Sequence, residues 1–500
     1  MATPTVETPR AVRDPSSAVA YLARLLSGPV AFVIVWVCPL ALPYQGHMAL
    51  ATFACVVVWW MAQPMPWAIA ALLPLLVFPW TGVMDIAATA RLYGQPIFFW
   101  IMGTVLMGHA IEKHGLAQRI ALAFLALPGV GGKASRLTFT YMLMVGVVSM
   151  FISDAATVAM MMPIGMSIVR HLRTSMPGAL SEQNSNFGAI ITLGTLYAAV
   201  AGGTGTMMGV PHNGVAISML ERFTGRQLGF FEWMAVGIPV FLAALAIFYA
   251  ALWVMARPEV DELPSGEAFL RAERAKLGPL RPDERRVLLI FATMVALFVL
   301  PTIAGLVLGD KHAAVRWMNR GLSIWVVPPL VMFLLFATPS TERGAALLTW
   351  KDAERHTPWN IMILVAAAVG MTDTLTKLGF VELVGGGVKS LGIGPTLLPY
   401  LAAVVTAVST NIVSGVAAAT LYCSIFVPAA VQVGYNPASI AILIANVAVG
   451  VAFPWAGATS ATAFAGGEID MRRMVWIGVV GTAGFAVAAA TIHLVIARFL

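Results

Sequence analysis

One carboxylate stands inside a long apolar stretch of the chain, with hydroxyl side chains close to it in sequence. Asp154 follows Ser153 directly and comes about one helical turn after Ser149. A carboxylate at membrane depth costs about 2.5–3.5 kcal/mol on insertion scales unless it is paired or hydrated. Carboxylate, hydroxyl and freed carbonyl oxygens are ligands for hard cations, so we expect a cation site suited to Na⁺ here. A cap on the helix that starts at Ala155 is the alternative role for Asp154, and the two roles are compatible.

A second polar patch interrupts an apolar stretch near the C-terminus, with Thr410 and Asn411 followed by Ser414 and Gly415. A helix that begins at such a break points its N-terminus at the middle of the membrane, where its free N–H groups and its dipole attract an anion. Neither patch contains Arg or Lys. This pattern favours recognition of a carboxylate or sulfate by backbone amides and hydroxyls.

Each polar patch is followed by an apolar segment rich in glycine or proline. The first runs from Gly202 to Asn213 and the second from Pro454 to Ser460. Glycine and proline at this density unwind a helix and free its carbonyl groups. The first segment also carries His212, which is either a titratable group near the anion or a hydrogen-bonded helix breaker.

These polar elements recur in the same order, which indicates an internal duplication. The segment Ile101–Gly115 aligns without gaps on Val365–Gly379, and each copy ends in Lys-x-Gly before its polar-broken segment. Polar breaks in corresponding positions of two halves are typical of the binding site of a secondary transporter. If an odd number of spans separates the copies, they are inverted, and this arrangement permits alternating access.

The composition is that of a polytopic membrane protein. Of 500 residues, 59% are hydrophobic and only 11% are charged, which predicts an all-α fold with about eleven transmembrane helices and two re-entrant helical hairpins. The net charge of +7 comes from basic residues in loops and at span ends, so no nucleic-acid partner is expected. The three cysteines have no metal-like spacing, and no cofactor is predicted.

The organisation along the chain follows from these segments. We expect a cytosolic tail at 1–27, a first membrane half at 28–255 with its hairpin near 138–170, and a cytosolic amphipathic linker at 256–287. A second membrane half at 288–500 would carry its hairpin near 396–430. The predicted location is the inner (plasma) membrane, with the lipid bilayer as the surrounding partner.

Two motifs resemble those of the divalent anion/sodium symporter (DASS, INDY-like) family of the ion transporter superfamily. Gly108–Leu122 reads GHAIEKHGLAQRIAL and Phe151–Ile164 reads FISDAATVAMMMPI, both similar to family signatures. The resemblance runs from about residue 50 to the C-terminus. It implies a homodimer whose protomers pair a scaffold domain with a mobile, elevator-type transport domain that carries two inverted hairpins.

The resemblance also implies site residues by position. Substrate contacts are expected at Ser153, Asp154, Ala155, Val210, Pro211, Ser414, Gly415, Val416, Gly457 and Ala458. Cation contacts are expected at Ser149, Ser153, Asp154, Gly209, Asn213, Thr410, Asn411, Ser414 and Ala456.

The chain departs from the family at both Ser-Asn-Thr tips. Asp154 replaces the first Asn, whereas Gly415 replaces the second and removes a cation ligand. We therefore expect the first cation site to persist and the second to be weakened or absent, with Asn411 standing in for the missing amide. A carboxylate would also repel a dianion unless a bound Na⁺ or proton neutralises it.

The function predicted from these features is cation-coupled transport of a small divalent anion, a C4-dicarboxylate or related carboxylate, with Na⁺ or H⁺ as the coupling ion and no catalysis. An anion exchanger that ignores Na⁺ is the alternative within this class. An intramembrane aspartyl hydrolase that pairs Asp154 with Asp373 is the alternative from another class. The sequence around these aspartates lacks the Gly-x-Gly-Asp context expected of such an enzyme.

Overall fold

The computed structural model describes residues 15–178, 180, 185–263, 265–309, 311–342 and 344–498. Within these ranges the chain is all-helical and contains no β-strand. The helices are α1 (Pro15–Val37), α2 (Tyr44–Ala62), α3 (Trp67–Ala71), α4 (Pro74–Thr81), α5 (Ile86–Arg91), α6 (Pro96–Lys113), α7 (Leu116–Leu125), α8 (Ala134–Ser149), α9 (Asp154–Ser175), α10 (Asn186–Gly203), α11 (Pro211–Thr224), α12 (Phe230–Met255), α13 (Gly266–Lys276), α14 (Pro282–Leu308), α15 (Ala313–Gly321), α16 (Val327–Ala337), α17 (Trp350–His356), α18 (Trp359–Lys377), α19 (Phe380–Ser390), α20 (Leu397–Ser409), α21 (Gly415–Val433), α22 (Pro437–Val447), α23 (Ala458–Gly466) and α24 (Met471–Ile496).

The predicted all-helical membrane fold is confirmed. Ten helical segments among the described residues are long and apolar enough to cross a bilayer, compared with about eleven expected from sequence. They are Ala18–Val37, Tyr44–Ala62, Ile86–Lys113, Asp154–Ser175, Asn186–Gly203, Phe230–Met255, Pro282–Leu308, Trp359–Lys377, Gly415–Val433 and Met471–Ile496. The count differs because several apolar stretches form shorter helices, as where Pro74 starts α4 separately from α3.

The order of elements repeats in the two halves. In each half a long helix is followed by a short one, then by two pairs of helices that each flank a break, and then by a long helix. These runs are α6–α12 and α18–α24. Gly115 and Gly379 have φ values of +78° and +91°, so the Lys-x-Gly pattern marks where a left-handed glycine ends α6 and α18.

Two serines start the helices that follow the polar patches. Ser153 Oγ accepts a hydrogen bond from the Ala156 N–H at 3.4 Å, and Ser414 Oγ accepts one from the Ala417 N–H at 3.3 Å. An N-cap serine satisfies one of the free N–H groups of the first turn. The two breaks therefore end in the same way, and both place a helix N-terminus inside the protein.

The expected tail and linker lie on either side of the first half. Residues 1–14 of the tail are outside the described residues, and α1 begins at Pro15 within the predicted tail. The linker contains α13, which is followed by a turn whose carbonyls at Leu277, Gly278 and Pro279 accept hydrogen bonds from Arg119. The side chain of Arg119 also pairs with Glu284 at 3.0 Å, so the linker is held against the start of α7.

The two halves interlock around the breaks. Helix α9 of the first half packs on α23 of the second, and α11 packs on α21 and α22. Small residues permit close approach within a half, since a Cβ added at Gly202 would lie 2.1 Å from the Gly146 carbonyl oxygen. The site described below is consequently built from both halves.

Candidate functional site

A cavity of about 610 Å³ lies where the four helix breaks meet, within the size range of small-molecule sites. All ten residues predicted as substrate contacts line it: Ser153, Asp154, Ala155, Val210, Pro211, Ser414, Gly415, Val416, Gly457 and Ala458. Ala456 lines it too, although it was predicted as a cation contact. The remaining predicted cation contacts, namely Ser149, Gly209, Asn213, Thr410 and Asn411, are buried behind these residues.

Four helices begin at the wall of this cavity. They are α9 at Asp154, α11 at Pro211, α21 at Gly415 and α23 at Ala458. The first turn of a helix has backbone N–H groups without partners inside the helix, and the helix dipole makes this end positive. The convergence of four such ends creates an environment suited to an anion.

Charged side chains are scarce in the cavity. Among the described residues that line it, Asp154 is the one carboxylate, His212 and His356 are the titratable imidazoles, and there is no Lys or Arg. A bound anion would therefore be held by backbone dipoles, hydroxyls and imidazole rather than by a fixed cation. An ionised Asp154 carboxylate would repel a dianion unless a bound cation or a proton neutralised it.

Asp154 is the first residue of α9, directly after the N-cap Ser153, and it also lines the cavity. Its Oδ1 accepts a hydrogen bond from the Ala155 N–H at 2.7 Å, and its carboxyl also interacts with the hydroxyl of Thr459 at the start of α23. The carboxylate therefore accepts a hydrogen bond from one of the free N–H groups in the first turn of α9. By contrast, α21 begins with Gly415 and Val416, and neither residue has a side-chain oxygen that could accept such a hydrogen bond.

Two oxygens behind the first hairpin tip, which is formed by Ser153, Asp154 and Ala155 between α8 and α9, have no hydrogen-bond partner. Ser149 Oγ and Asn213 Oδ1 are both fully buried and unpaired. Asn213 is oriented by its amide nitrogen, which donates to the carbonyls of Gly203 at 2.8 Å and Thr206 at 2.9 Å. The hydroxyl of Thr206 donates in turn to the carbonyl of Met150, which joins this break to the hairpin tip. Buried oxygens left unpaired are what a cation site would use.

The corresponding residues behind the second hairpin tip, Thr410 and Asn411, already have hydrogen-bond partners within the protein. The hydroxyl of Thr410 donates to the Thr406 carbonyl at 3.1 Å, and Asn411 Oδ1 accepts from the Ala452 N–H at 3.0 Å. The amide oxygen expected to replace the missing ligand thus holds the α22–α23 break against the hairpin. A cation contact at Asn411 stays a prediction, whereas its structural role is visible in these bonds.

Gly415 allows the closest approach in the site. A Cβ at this position would lie 2.2 Å from the carbonyl oxygen of Ala448 and 3.3 Å from Nδ1 of His212. An asparagine, as in the family pattern, would collide with the backbone here. Glycine in place of the family's asparagine therefore fits the close approach of the Ala448 carbonyl and the His212 ring.

The sequence did not single out Gln63, Trp67 and His356, which also line the cavity. Gln63 and Trp67, which follow α2, also line a second space of about 420 Å³ beside Asn360. His356 ends α17, and its ring stacks on His109 with centroids 3.6 Å apart. These residues carry no polar-break signal, and the tertiary fold alone brings them to the cavity.

His109, His356 and Asp352 form a tight group that could hold a metal ion, since their ligand atoms lie within 4.8 Å of one another. The Asp352 carboxylate already accepts hydrogen bonds from Lys113 at 2.9 Å and from the Thr349 N–H at 2.8 Å. Burial raises the pKa of Asp352, but hydrogen bonds from Thr349 and Lys113 outweigh burial and hold the pKa well below its usual range. The group joins α6 to α17 without requiring a metal.

The hydrolase alternative is wrong. Asp373 forms ion pairs with Arg222 at 3.0 Å and Lys377 at 2.9 Å, and it is not among the residues that line the cavity. Asp154 and Asp373 therefore do not form a catalytic dyad, which requires two adjacent carboxylates.

Comparison with known proteins agrees with this architecture. Residues 20–499 match the model of the sodium:sulfate symporter transmembrane region. The sodium-dependent dicarboxylate transporters SdcS of two Staphylococcus aureus strains are 27% (bovine RF122 / ET3-1) and 26% (MRSA252) identical to this chain over 473 residues, covering 91% of it and 87% of each relative. The crystal structure of the Alcanivorax borkumensis YdaH transporter shares the fold, with a TM-score of 0.53 at 12% identity over 91% of this chain and 99% of that one. The family resemblance seen in the motifs is thereby confirmed: the chain belongs to the sodium:sulfate symporter family and is a multi-pass membrane transporter, not an enzyme.

Proposed function

We propose that this protein is a Na⁺-coupled symporter of small dicarboxylate anions. The observation that carries the proposal is the meeting of four helix N-termini around one carboxylate, Asp154, in a cavity of about 610 Å³. The helix ends favour an anion, and Asp154 favours a cation beside it. The relatives named as sodium-dependent dicarboxylate transporters support both the ion and the substrate class.

In this proposal the two hairpin tips bind different ions. Na⁺ binds at the first tip, which provides Ser149, Ser153 and Asp154 and to which Asn213, whose Oδ1 is unpaired, is connected through Thr206. The anion binds at the second tip, where the N–H groups of α21 are unobstructed by an acceptor side chain at Gly415. Na⁺ also screens Asp154, so each ion improves the binding of the other, and this mutual dependence is the basis of coupling.

The transport movement we propose is an elevator motion of a unit that contains both tips. Its support is the packing of α9 on α23 and of α11 on α21, which lets the whole site move as one body. The repeated element order supports an inverted repeat, in which the two halves have opposite orientation in the membrane. We also propose a homodimer, with its scaffold helices fixed while the transport domains move.

Uptake into liposomes with independent Na⁺ and pH gradients tests the proposal. Purified protein should accumulate radiolabelled succinate or malate when an inward Na⁺ gradient is imposed, with citrate and sulfate compared in the same assay. Failure of every gradient to drive uptake of any of the four anions would refute it.

An exchanger is the second candidate because the Thr410 hydroxyl and Asn411 Oδ1, which were predicted as contacts of the second cation site, already have hydrogen-bond partners within the protein. Such a protein would show uptake that needs internal anion and is indifferent to both gradients. The same liposomes, loaded with or without unlabelled succinate, separate the two functions.

The serine behind the first tip gives a specific prediction. Ser149→Ala removes a buried hydroxyl oxygen that has no protein partner, so folding should be unimpaired while one Na⁺ ligand is lost. We expect the Na⁺ concentration for half-maximal succinate uptake to rise severalfold. Thr410→Ala, its counterpart in the second hairpin, should produce the smaller shift, and an equal or larger shift would contradict the asymmetry.

A further inference from the structure

We propose that His212 is a specificity-determining residue that donates a hydrogen bond to the substrate anion beside Gly415, at the N-terminus of α21. This inference rests on the proposed function, since it assigns a residue to the dicarboxylate side of that site. His212 belongs to the first half of the chain, whereas the subsite that it completes belongs to the second.

The position of the imidazole carries the argument. Its Nδ1 lies 3.3 Å from where the Cβ of residue 415 would be, so the ring stands beside the N-terminus of α21, where a longer side chain would emerge. Both residues line the cavity. Because the Ala448 carbonyl excludes a side chain at 415, the polar group has to come from another element, and α11 provides it.

The ring is buried, but its Nε2 has no hydrogen-bond partner in the described part of the protein. His212 as a whole is 6% exposed. Burying Nε2 as a donor would leave an N–H without an acceptor, which is costly. The tautomer with the proton on Nδ1 leaves Nε2 as an unpaired acceptor instead, and it places a donor at the α21 end of the cavity.

The location of His212 on the first turn of α11 favours the neutral form of its ring. The positive end of a helix disfavours an imidazolium ion, so His212 acts as a neutral donor rather than as a fixed cation. A neutral donor binds one carboxylate of the substrate through Nδ1–H and adds geometric selectivity to the nonspecific attraction of the helix ends.

Three substitutions separate this role from packing. An asparagine amide nitrogen reaches about as far as Nδ1 of histidine, and a glutamine amide nitrogen reaches about as far as Nε2. We therefore expect His212→Ala to raise the succinate concentration for half-maximal uptake by about tenfold or more, as for the loss of a hydrogen bond to a charged group. His212→Asn should restore most of the affinity, whereas His212→Gln should not.

The readouts are succinate half-saturation, Na⁺ half-saturation at saturating succinate, and thermal stabilisation of the purified protein by succinate. The inference predicts that His212→Ala and His212→Gln change the first and third, that His212→Asn changes them little, and that all three variants leave the second within about twofold. Unchanged succinate affinity in His212→Ala, or equal rescue by Asn and Gln, would overturn it. Wild-type protein that succinate stabilises but that does not transport succinate would refute the proposed function alone, and the stabilisation of the variants would still decide the role of His212.

Discussion

Replacing Asp154 by asparagine should raise the Na⁺ concentration needed for half-maximal succinate uptake by about tenfold or more, where tenfold corresponds to ~1.4 kcal/mol. The variant removes one negative charge from the cation site but keeps an oxygen that can accept the Ala155 N–H, now bonded at 2.7 Å. The hydrogen bond to the first turn of α9 therefore persists and the charge alone is tested. At saturating Na⁺ the affinity for succinate should stay the same or improve, because a repulsive charge has gone.

Asp373→Asn is the matched control for this experiment. It removes the same charge from a residue that pairs with Arg222 and Lys377 away from the cavity, so Na⁺ dependence should be unchanged. Equal Na⁺ half-saturation in wild type and Asp154→Asn would show that the carboxylate is structural. A wild-type pH dependence that disappears in Asp154→Asn, with Na⁺ dependence gained, would assign the proton as the coupling ion instead.

Gly415→Ala should reduce succinate uptake by about tenfold or more at equal expression. The added Cβ would lie 2.2 Å from the carbonyl oxygen of Ala448, and neither backbone segment can yield as a flexible side chain would. The tip of the second hairpin and the α22–α23 break must then separate, which displaces the N-terminus of α21 from the anion. A displacement of about 1 Å at a reacting or binding group can cost about a hundredfold in rate.

Gly386→Ala provides the comparison for this substitution. Gly386 lies within α19, and a Cβ there would meet nothing within 4 Å, so uptake and stability should be maintained. Wild-type uptake in Gly415→Ala would contradict the close packing of the two breaks. Measurement of thermal stability alongside uptake distinguishes a local displacement from a general loss of folding.

The sequence predicted those parts of the site that depend on local chemistry. Serine before each hairpin helix, glycine after each lysine and the Gly/Pro segments all act over a few residues, so the breaks at Ser153, Val210, Ser414 and Gly457 were recognisable from their own neighbourhoods. The alternation of broken and continuous apolar segments likewise fixed the all-helical membrane architecture. These features required no knowledge of which helices touch.

Contacts between segments distant in sequence could not be predicted in this way. The bond from the Ala452 N–H to Asn411 joins residues 41 positions apart, and it gives Asn411 a structural role that the missing amide at Gly415 did not suggest. His356 reaches the cavity from α17, a helix with no polar break. The need for glycine at 415 likewise comes from Ala448 and His212, which are distant in sequence and leave no room for a side chain.

The central claim is that one cavity binds a dicarboxylate together with Na⁺ at the first hairpin tip. Its most direct test is parallel uptake of radioactive Na⁺ and radiolabelled succinate by the same liposomes, with no initial Na⁺ gradient and an inward gradient of succinate. We predict that succinate accelerates Na⁺ entry in proportion to its own entry in the wild type, and that this coupled Na⁺ entry is lost or strongly reduced in Asp154→Asn at the same Na⁺ concentration. Succinate entry without accompanying Na⁺ in the wild type would contradict the account.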